Sequence, residues 1–215
     1  GYIPELGAYQ KNSESESKNM NIALIEKVKI FCKLLIELSR CKNLPFHNWQ
    51  HTEEVVENSE LIGQQEGLKE NAIEELIIAS YFHDIGYLNQ AKGHEQLSCK
   101  YAREFLEKES LNISQIKNIL NLIKATKTSE EPKTIAQKII CDADLAHLGR
   151  KNFRSKNVQL RKEWENSNGL EFSNVEWTNL NISFMENHSF YTETANKLFL
   201  SQKLKNIKAL KDSIS

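Results

Sequence analysis

Four of the six histidines in this 215-residue chain fall in two short stretches. "FHNWQHTEEVV" sets His47 and His51 four residues apart. "ASYFHDIGYLNQAKGHEQLS" joins His83 to Asp84 and follows with His94 and Glu95. His83 and Asp84 close a strongly apolar run, "AIEELIIASYF". An ionisable pair at the end of a core helix is costly to bury unless something compensates it. A divalent cation would do so, because neutral imidazole and carboxylate are ligand types that Zn, Mn, Fe, Co and Ni accept. A second acidic cluster, "CDADL", follows another apolar stretch, "TIAQKII". Three separate helices can thus aim His51, His83, Asp84 and Asp144 at one point. Each of these residues alone reads as an ordinary surface or satisfied core residue; the combination points to a metal.

The elements that must position them read as helices. Glycine (8) and proline (3) are scarce, and strand-type alternation is nearly absent. Ile22, Ile25, Val28, Phe31 or Cys32, Leu35 and Leu38 recur at three and four, which predicts an amphipathic first helix broken by Pro45. A second helix is expected from about His47 to Gln65; His47 and His51 share a face if it includes both. "NAIEELIIASYFHD" predicts a third, capped by Asn71 and ending near Gly86. "GHEQLSCKYAREFLEKE" is a fourth. A fifth opens on Ser114 and stacks Ile116, Ile119, Leu120 and Ile123. "EPKTIAQKIICDADLAHLG" carries Pro132 in its first turn and ends at Gly149. "FRSKNVQLRKEWENSN" and a segment capped by Ser173 follow. The last helix is expected over about Ser189 to Lys211, with Leu200, Leu204, Ile207 and Leu210 on one stripe that suits pairing with a second copy.

Residues 1–19 are largely polar and aperiodic, and read as a flexible leader with Met20 as a candidate native start; 20–215 read as a single domain. Charged residues make up 27% and hydrophobic residues 40%, with a formal net charge of -1. Such a chain can bury a sizeable core, and it has no basic excess that would suggest a nucleic-acid partner. Four cysteines without a CxxC pair suggest reduced thiols and a cytoplasmic location. No apolar run approaches the roughly 20 residues a membrane span needs.

The order His51, His83-Asp84, Asp144 resembles the HD superfamily of metal-dependent phosphohydrolases. The flanks agree over about residues 20–170: "FHNWQHTEEVV" looks like the family's opening helix, and "ASYFHDIGY" like its apolar helix ending in HD. "GHEQLSCKYAREFL" is similar to the His-Glu helix that follows, and "CDADLAHLG" to the Asp-bearing helix that completes the site. The resemblance implies an all-α HD-type helical bundle with a metal site between its central helices. It implies one divalent ion (Mn, Fe, Ni, Co, Zn or Mg) held by His51, His83, Asp84 and Asp144, with Asp84 also placed to bridge to a second. Asp142 is then a helix-surface or supporting residue, and the spare candidate ligand.

The same resemblance implies hydrolysis of a phosphate ester or phosphodiester, with a small phosphorylated substrate, in particular a nucleotide. His47 matches the leaving-group proton donor of cyclic-nucleotide phosphodiesterases, or else merely packs beside Pro45. His94 matches a second-metal ligand, with Glu95 beside it on the substrate side. The later His pair of two-metal members is missing: "NLIKATKTSEEP" offers Lys124 and Lys127 instead, which either meet a substrate phosphate, Lys124 in a catalytic role, or form a solvated face. Arg150, Arg154 and Arg161 follow, and Arg161 either faces a phosphate or pairs with an acidic neighbour. "HNWQHT", "ATK", "CDADLAHLG" and "LRKEWE" together resemble a branch of HD modules placed ahead of Pycsar-type membrane effector segments. That branch suggests an alternative: a nucleotide-sensing module with little turnover that regulates a partner or such a segment.

Overall fold

In the computed structural model, which describes residues 19–215, Asn21 caps α1 (Ile22–Glu37) by accepting a hydrogen bond from Leu24 N at 3.0 Å. The leader expected over residues 1–19 lies outside the described residues but for its last position. Leu24, Val28, Cys32 and Ile36 form the buried stripe of α1, while Ile22 is 63% and Leu38 84% exposed. Val28 and Cys32 of the expected stripe are thus buried, but its two ends, Ile22 and Leu38, are replaced inside by Leu24 and Ile36. Apolar residues occupy most of the circumference of α1, so spacing alone leaves its phase open.

Eight further helices and one short helical turn follow: α2 (Trp49–Gln65), α3 (Glu70–Phe82), α4 (His94–Lys108), α5 (Ile113–Ala125), α6 (Ile135–Asp144), α7 (Phe153–Asn168), α8 (Asn174–Asn187), α9 (Glu193–Ala195) and α10 (Ser201–Asp212). The described residues contain no strand. An all-α bundle is thus the observed architecture. None of its helices is long and apolar enough to cross a membrane.

Several helix starts differ from the sequence expectation, each because a better capping side chain lies nearby. Asn48 caps α2, accepting from His51 N at 3.3 Å, so His47 stands before the helix and shares no helical face with His51. The third helix begins at Glu70, which puts Asn71 inside it. Asn112, not Ser114, caps α5. Thr134 and Gln137 form a reciprocal capping box for α6, leaving Pro132 outside. Ser173 does cap α8, again with a reciprocal box through Glu176.

The centre of the bundle is α3. Ile73, Leu76, Ile77, Ile78, Ala79, Tyr81 and Phe82 are all buried, so this helix has no solvent face over its last turns. It packs against α1, α2, α4, α5 and α6. A smaller core of Leu148, Phe153, Met185 and Ile207 joins α7, α8 and α10 into a second layer. Ile207 and Leu210 of the expected pairing stripe turn inward to this core, whereas Leu204 is exposed. Between α9 and α10, residues Asn196–Leu200 form a π-helical turn, against which Gly149 packs so closely that a Cβ there would lie 2.3 Å from Phe199 O.

The end of α3 depends on a second close approach. A Cβ on Gly86 would lie 1.9 Å from His94 O, in the first turn of α4. Ser98 of α4 donates to His83 O at 2.9 Å and accepts from Gly86 N at 2.8 Å, satisfying two backbone groups released where the helix stops. Backbone cannot yield as a side chain can. Gly86→Ala should therefore cost at least about 3 kcal/mol and lower the melting temperature by roughly 6–12 °C. A thermal melt checks this; a shift under about 2 °C would mean that α4 can move aside freely.

Candidate metal centre

The apolar helix α3 stops at its two polar residues. His83 keeps helical backbone angles as the C-cap, and Asp84 turns out of the helix at φ -110°. His83 Nδ1 lies 2.6 Å from Ser80 O. A carbonyl accepts only, so Nδ1 carries the proton and Nε2 keeps its lone pair for another partner. α2 supplies His51 from its first turn, and α6 supplies Asp144 as its last residue.

These side chains converge. His51 Nε2 lies 3.2 Å from Asp84 Oδ2 and 3.0 Å from Asp144 Oδ1. His83 Nε2 lies 3.0 Å and 3.3 Å from the same two oxygens. All four ligand-type atoms fall within 4.8 Å of one another. Donors held about 2.1 Å from one ion can stand no more than about 4.2 Å apart, so small adjustments would close the set around a cation. His83 Nε2 and Asp84 Oδ2 are buried and make no hydrogen bond. Orphaned buried polar atoms that face each other are what an ion would satisfy, so the residues fit a divalent metal.

Without an ion, charge pairing governs the cluster. Burial pushes His51 down, but its hydrogen bond to Asp144 and the negative charges of Asp144 and Asp84 outweigh it and raise its pKa to about 9. Burial likewise opposes, and the Asp84 and Asp144 carboxylates override, at His83, which is raised well above the ordinary imidazole value. Asp84 and Asp144 are held below the usual carboxylate range: burial raises them, and the His83 charge with the His51 hydrogen bond lowers them further.

His94, at the start of α4, places Nε2 3.2 Å from Asp84 Oδ1 and 3.6 Å from Glu95 Oε1. Asp84 thus turns one oxygen to His51 and His83 and the other to His94. Tyr87 fills the space between His94 and His47, with ring centroids 4.1 Å and 4.0 Å away and the His47 pair stacked. His47 lies with its ring centroid 5.7 Å from that of His51.

Its partner is a residue the sequence reading passed over. Glu163 of α7, almost fully buried, contacts His47 Nδ1 and accepts from Phe46 N at 2.8 Å and His47 N at 2.9 Å. Burial raises the Glu163 carboxyl, but the hydrogen bonds from His47 and the two backbone groups win and hold it below its usual value. The reading of "LRKEWE" singled out Arg161. That guanidinium instead bonds Glu165 Oε1 at 3.0 Å, Asn174 Oδ1 at 2.8 Å and Phe172 O, tying α7 to the segment before α8. Arg161 thus pairs with an acidic neighbour, one of the two roles expected of it. A signal for Glu163 was present: it falls on the buried stripe of α7 with Phe153 and Lys156.

The other candidates divide. Lys127 lines a cavity beside Asp144, while Lys124 is exposed on the last turn of α5 and does not line it. Arg150 reaches Asn58 and lies over the Phe199 ring, and Arg154 lines a separate groove with Arg161. Asp142 is fully buried rather than on a helix surface, and faces away from the cluster. It accepts from Tyr191 N at 2.9 Å, Thr192 N at 2.8 Å and Thr192 Oγ1 at 2.8 Å. His147 packs edge-on against Phe46, and burial with the nearby His51 charge pushes it down to about 3.

Comparison with known proteins agrees with this arrangement. Residues 48–148 match the family profile described as HD domain. No curated protein shows significant similarity to the chain. A predicted HD superfamily hydrolase from an uncultured Thermotogales bacterium superposes with a TM-score of 0.61 at 18% identity, covering 93% of this chain and 94% of that one. Bacillus subtilis YpgQ, solved in complex with ADP, superposes with a TM-score of 0.65 at 16% identity, over 89% of this chain and 95% of its own. Residues 48–148 thus match the HD-domain profile, and the chain shares the all-α fold of these solved structures.

Proposed function

We propose that the chain is a metal-dependent phosphohydrolase acting on a phosphate ester or phosphodiester of a nucleotide. The observation that carries this reading is the convergence of His51, His83, Asp84 and Asp144, with two buried atoms left unpartnered where a cation fits. A divalent ion held by those four residues would supply Lewis-acid polarisation of the phosphoryl group and activation of water. Asp84 Oδ1 and His94 form the place for a second ion. The nucleotide class draws support from the ADP complex of the structural neighbour and from Lys127 beside Asp144. The four free thiols are in keeping with a cytoplasmic location.

His47 is the proton donor in this scheme. Glu163 engages Nδ1, which leaves Nε2 as the ring atom able to give a proton to the leaving oxygen. Glu163 is a positioning residue that acts through His47. Glu163→Gln should lower turnover about tenfold for an alkyl phosphate, whose leaving group needs the proton. Turnover of an activated aryl phosphate should stay within about twofold. Equal losses on both substrates would assign Glu163 a structural role alone.

The direct test is hydrolysis by chelator-stripped protein with Mn, Ni, Co, Mg, Zn or Fe added back singly. Turnover restored by at least one metal supports the hydrolase. Metal binding without any turnover would favour a second reading, a nucleotide-sensing module. The absence of a histidine pair in "NLIKATKTSEEP" is the observation on its side.

A further inference from the structure

A cavity of about 240 Å³ opens beside Asp144. Complete small-molecule sites run from roughly 300 to 1,000 Å³, so this space suits part of a ligand whose remainder lies at the His/Asp cluster. Lys127 lines one side, after α5. Phe184, Asn187, His188 and Tyr191 line another, around the end of α8. That second wall lies outside residues 48–148, the stretch shared with the family profile.

The wall is held in register with the metal centre. α6 ends in Asp144 at the cluster, and two residues earlier Asp142 grips the backbone of Tyr191 and Thr192. Lys203 of α10, buried, donates to His188 O, and Asn196 Nδ2 donates to Phe190 O at 3.0 Å. One helix therefore fixes the spacing between the cluster and the wall.

The lining chemistry is selective. Phe184 remains 42% and Tyr191 49% exposed, although the backbone that carries Tyr191 is tied down. The Phe184 ring stacks on His188, with centroids 6.3 Å apart and planes at 23°, and the open parts of the two rings give the cavity an aromatic surface against which a planar group can lie. Burial, with the Lys203 ammonium nearby, pushes His188 down to about 4, so its imidazole is neutral at pH 7; Nδ1 is buried without a partner, which leaves Nε2 as the atom to meet a ligand. The Asn187 amide adds a donor and an acceptor. Lys127 forms no ion pair among the described residues and suits a phosphate.

We propose that this cavity is the subsite for the base of a nucleoside phosphate whose phosphoryl group sits at the His/Asp cluster. The base lies against the exposed rings of Phe184 and Tyr191, and Asn187 and His188 read its polar edge. The proposal rests on the hydrolase reading for where the phosphoryl group is placed. It adds what selects the substrate.

The test is calorimetric titration of Mn-loaded protein with the four ribonucleoside 5′-monophosphates, and with ribose 5-phosphate as the ligand that lacks a base. At least one nucleotide should bind about tenfold or more tighter than ribose 5-phosphate. Phe184→Ala and Tyr191→Ala should each reduce that preference at least fivefold while leaving the ribose 5-phosphate affinity within twofold. The backbone tethers through Asp142 survive both substitutions, and a melt of each variant verifies the fold. No preference for any base, or a preference that survives both substitutions, overturns the subsite. Base preference without turnover in any metal would sink the hydrolase and leave the subsite standing. Turnover of ribose 5-phosphate equal to that of every nucleotide would do the reverse.

Discussion

Asp84→Ala is expected to lower metal-dependent turnover by at least about a thousandfold, equivalent to roughly 4 kcal/mol of lost transition-state stabilisation. Asp84 is the residue that all three candidate histidine ligands meet. Its Oδ2 faces His51 and His83, and its Oδ1 faces His94. Removing the carboxylate takes one ligand from the cluster and the bridge to any second ion. It also strips buried His51 and His83 of a counter-charge, so the metal-free variant should melt lower than the parent. Asp142→Ala is the informative comparison. That carboxylate holds three donors of the Tyr191–Thr192 turn and none of the cluster, so its loss should cost stability while the stoichiometry of bound metal stays at the parental value. Metal content measured on both purified variants decides the matter. Undiminished metal in Asp84→Ala would sink the assignment of the centre.

The second large effect is thermal, and it depends on pH. Free metal at a hundred times its dissociation constant should stabilise the protein by about 2.7 kcal/mol, which for a chain of this size is roughly 5–11 °C in melting temperature. In the metal-free protein, His51 has its pKa raised to about 9: burial opposes this, and the hydrogen bond to Asp144 with the charges of Asp144 and Asp84 prevails. A raised imidazole contributes stability that is fully present below its unfolded value of about 6.5 and is lost as pH climbs through the folded value. Metal binding has the opposite sign, because the ion competes with the proton on the same nitrogen. The gap between metal-loaded and chelated melting temperatures should therefore widen from pH 6.5 to 9. A gap independent of pH would mean that His51 is not a ligand.

The part of this site that was legible in the sequence is the part made of helix ends. His83-Asp84 and Asp144 each close an apolar run, and burial of the run forces its polar end inward. Less legible was anything that depends on phase or on a partner far along the chain. The ends of the α1 stripe were hidden because apolar residues lie on most of its faces. His47 was expected within a helix, yet the Asn48 side chain offered a better cap and left it outside. Within "LRKEWE", Arg161 drew attention as a cation, whereas Glu163 reaches His47 across 116 residues. Asp142 and Asp144 look interchangeable in "CDADL". Two residues along a helix is more than half a turn, and so they face different neighbours.

The π-helical turn at Asn196–Leu200 sets the angular position of everything after it. It holds one more residue per hydrogen-bonded turn than an α-helix does. The wider turn absorbs that residue locally, whereas losing one residue from the ordinary winding just after it, at Gln202, would swing the rest of α10 by about 100° around its axis. Lys203 would leave the His188 carbonyl, and Ile207 would leave the second core. Chain length at the start of α10 is thus as strict a determinant of the distal wall as any side chain lining it, and a deletion that touches no site residue would reach the site by rotation.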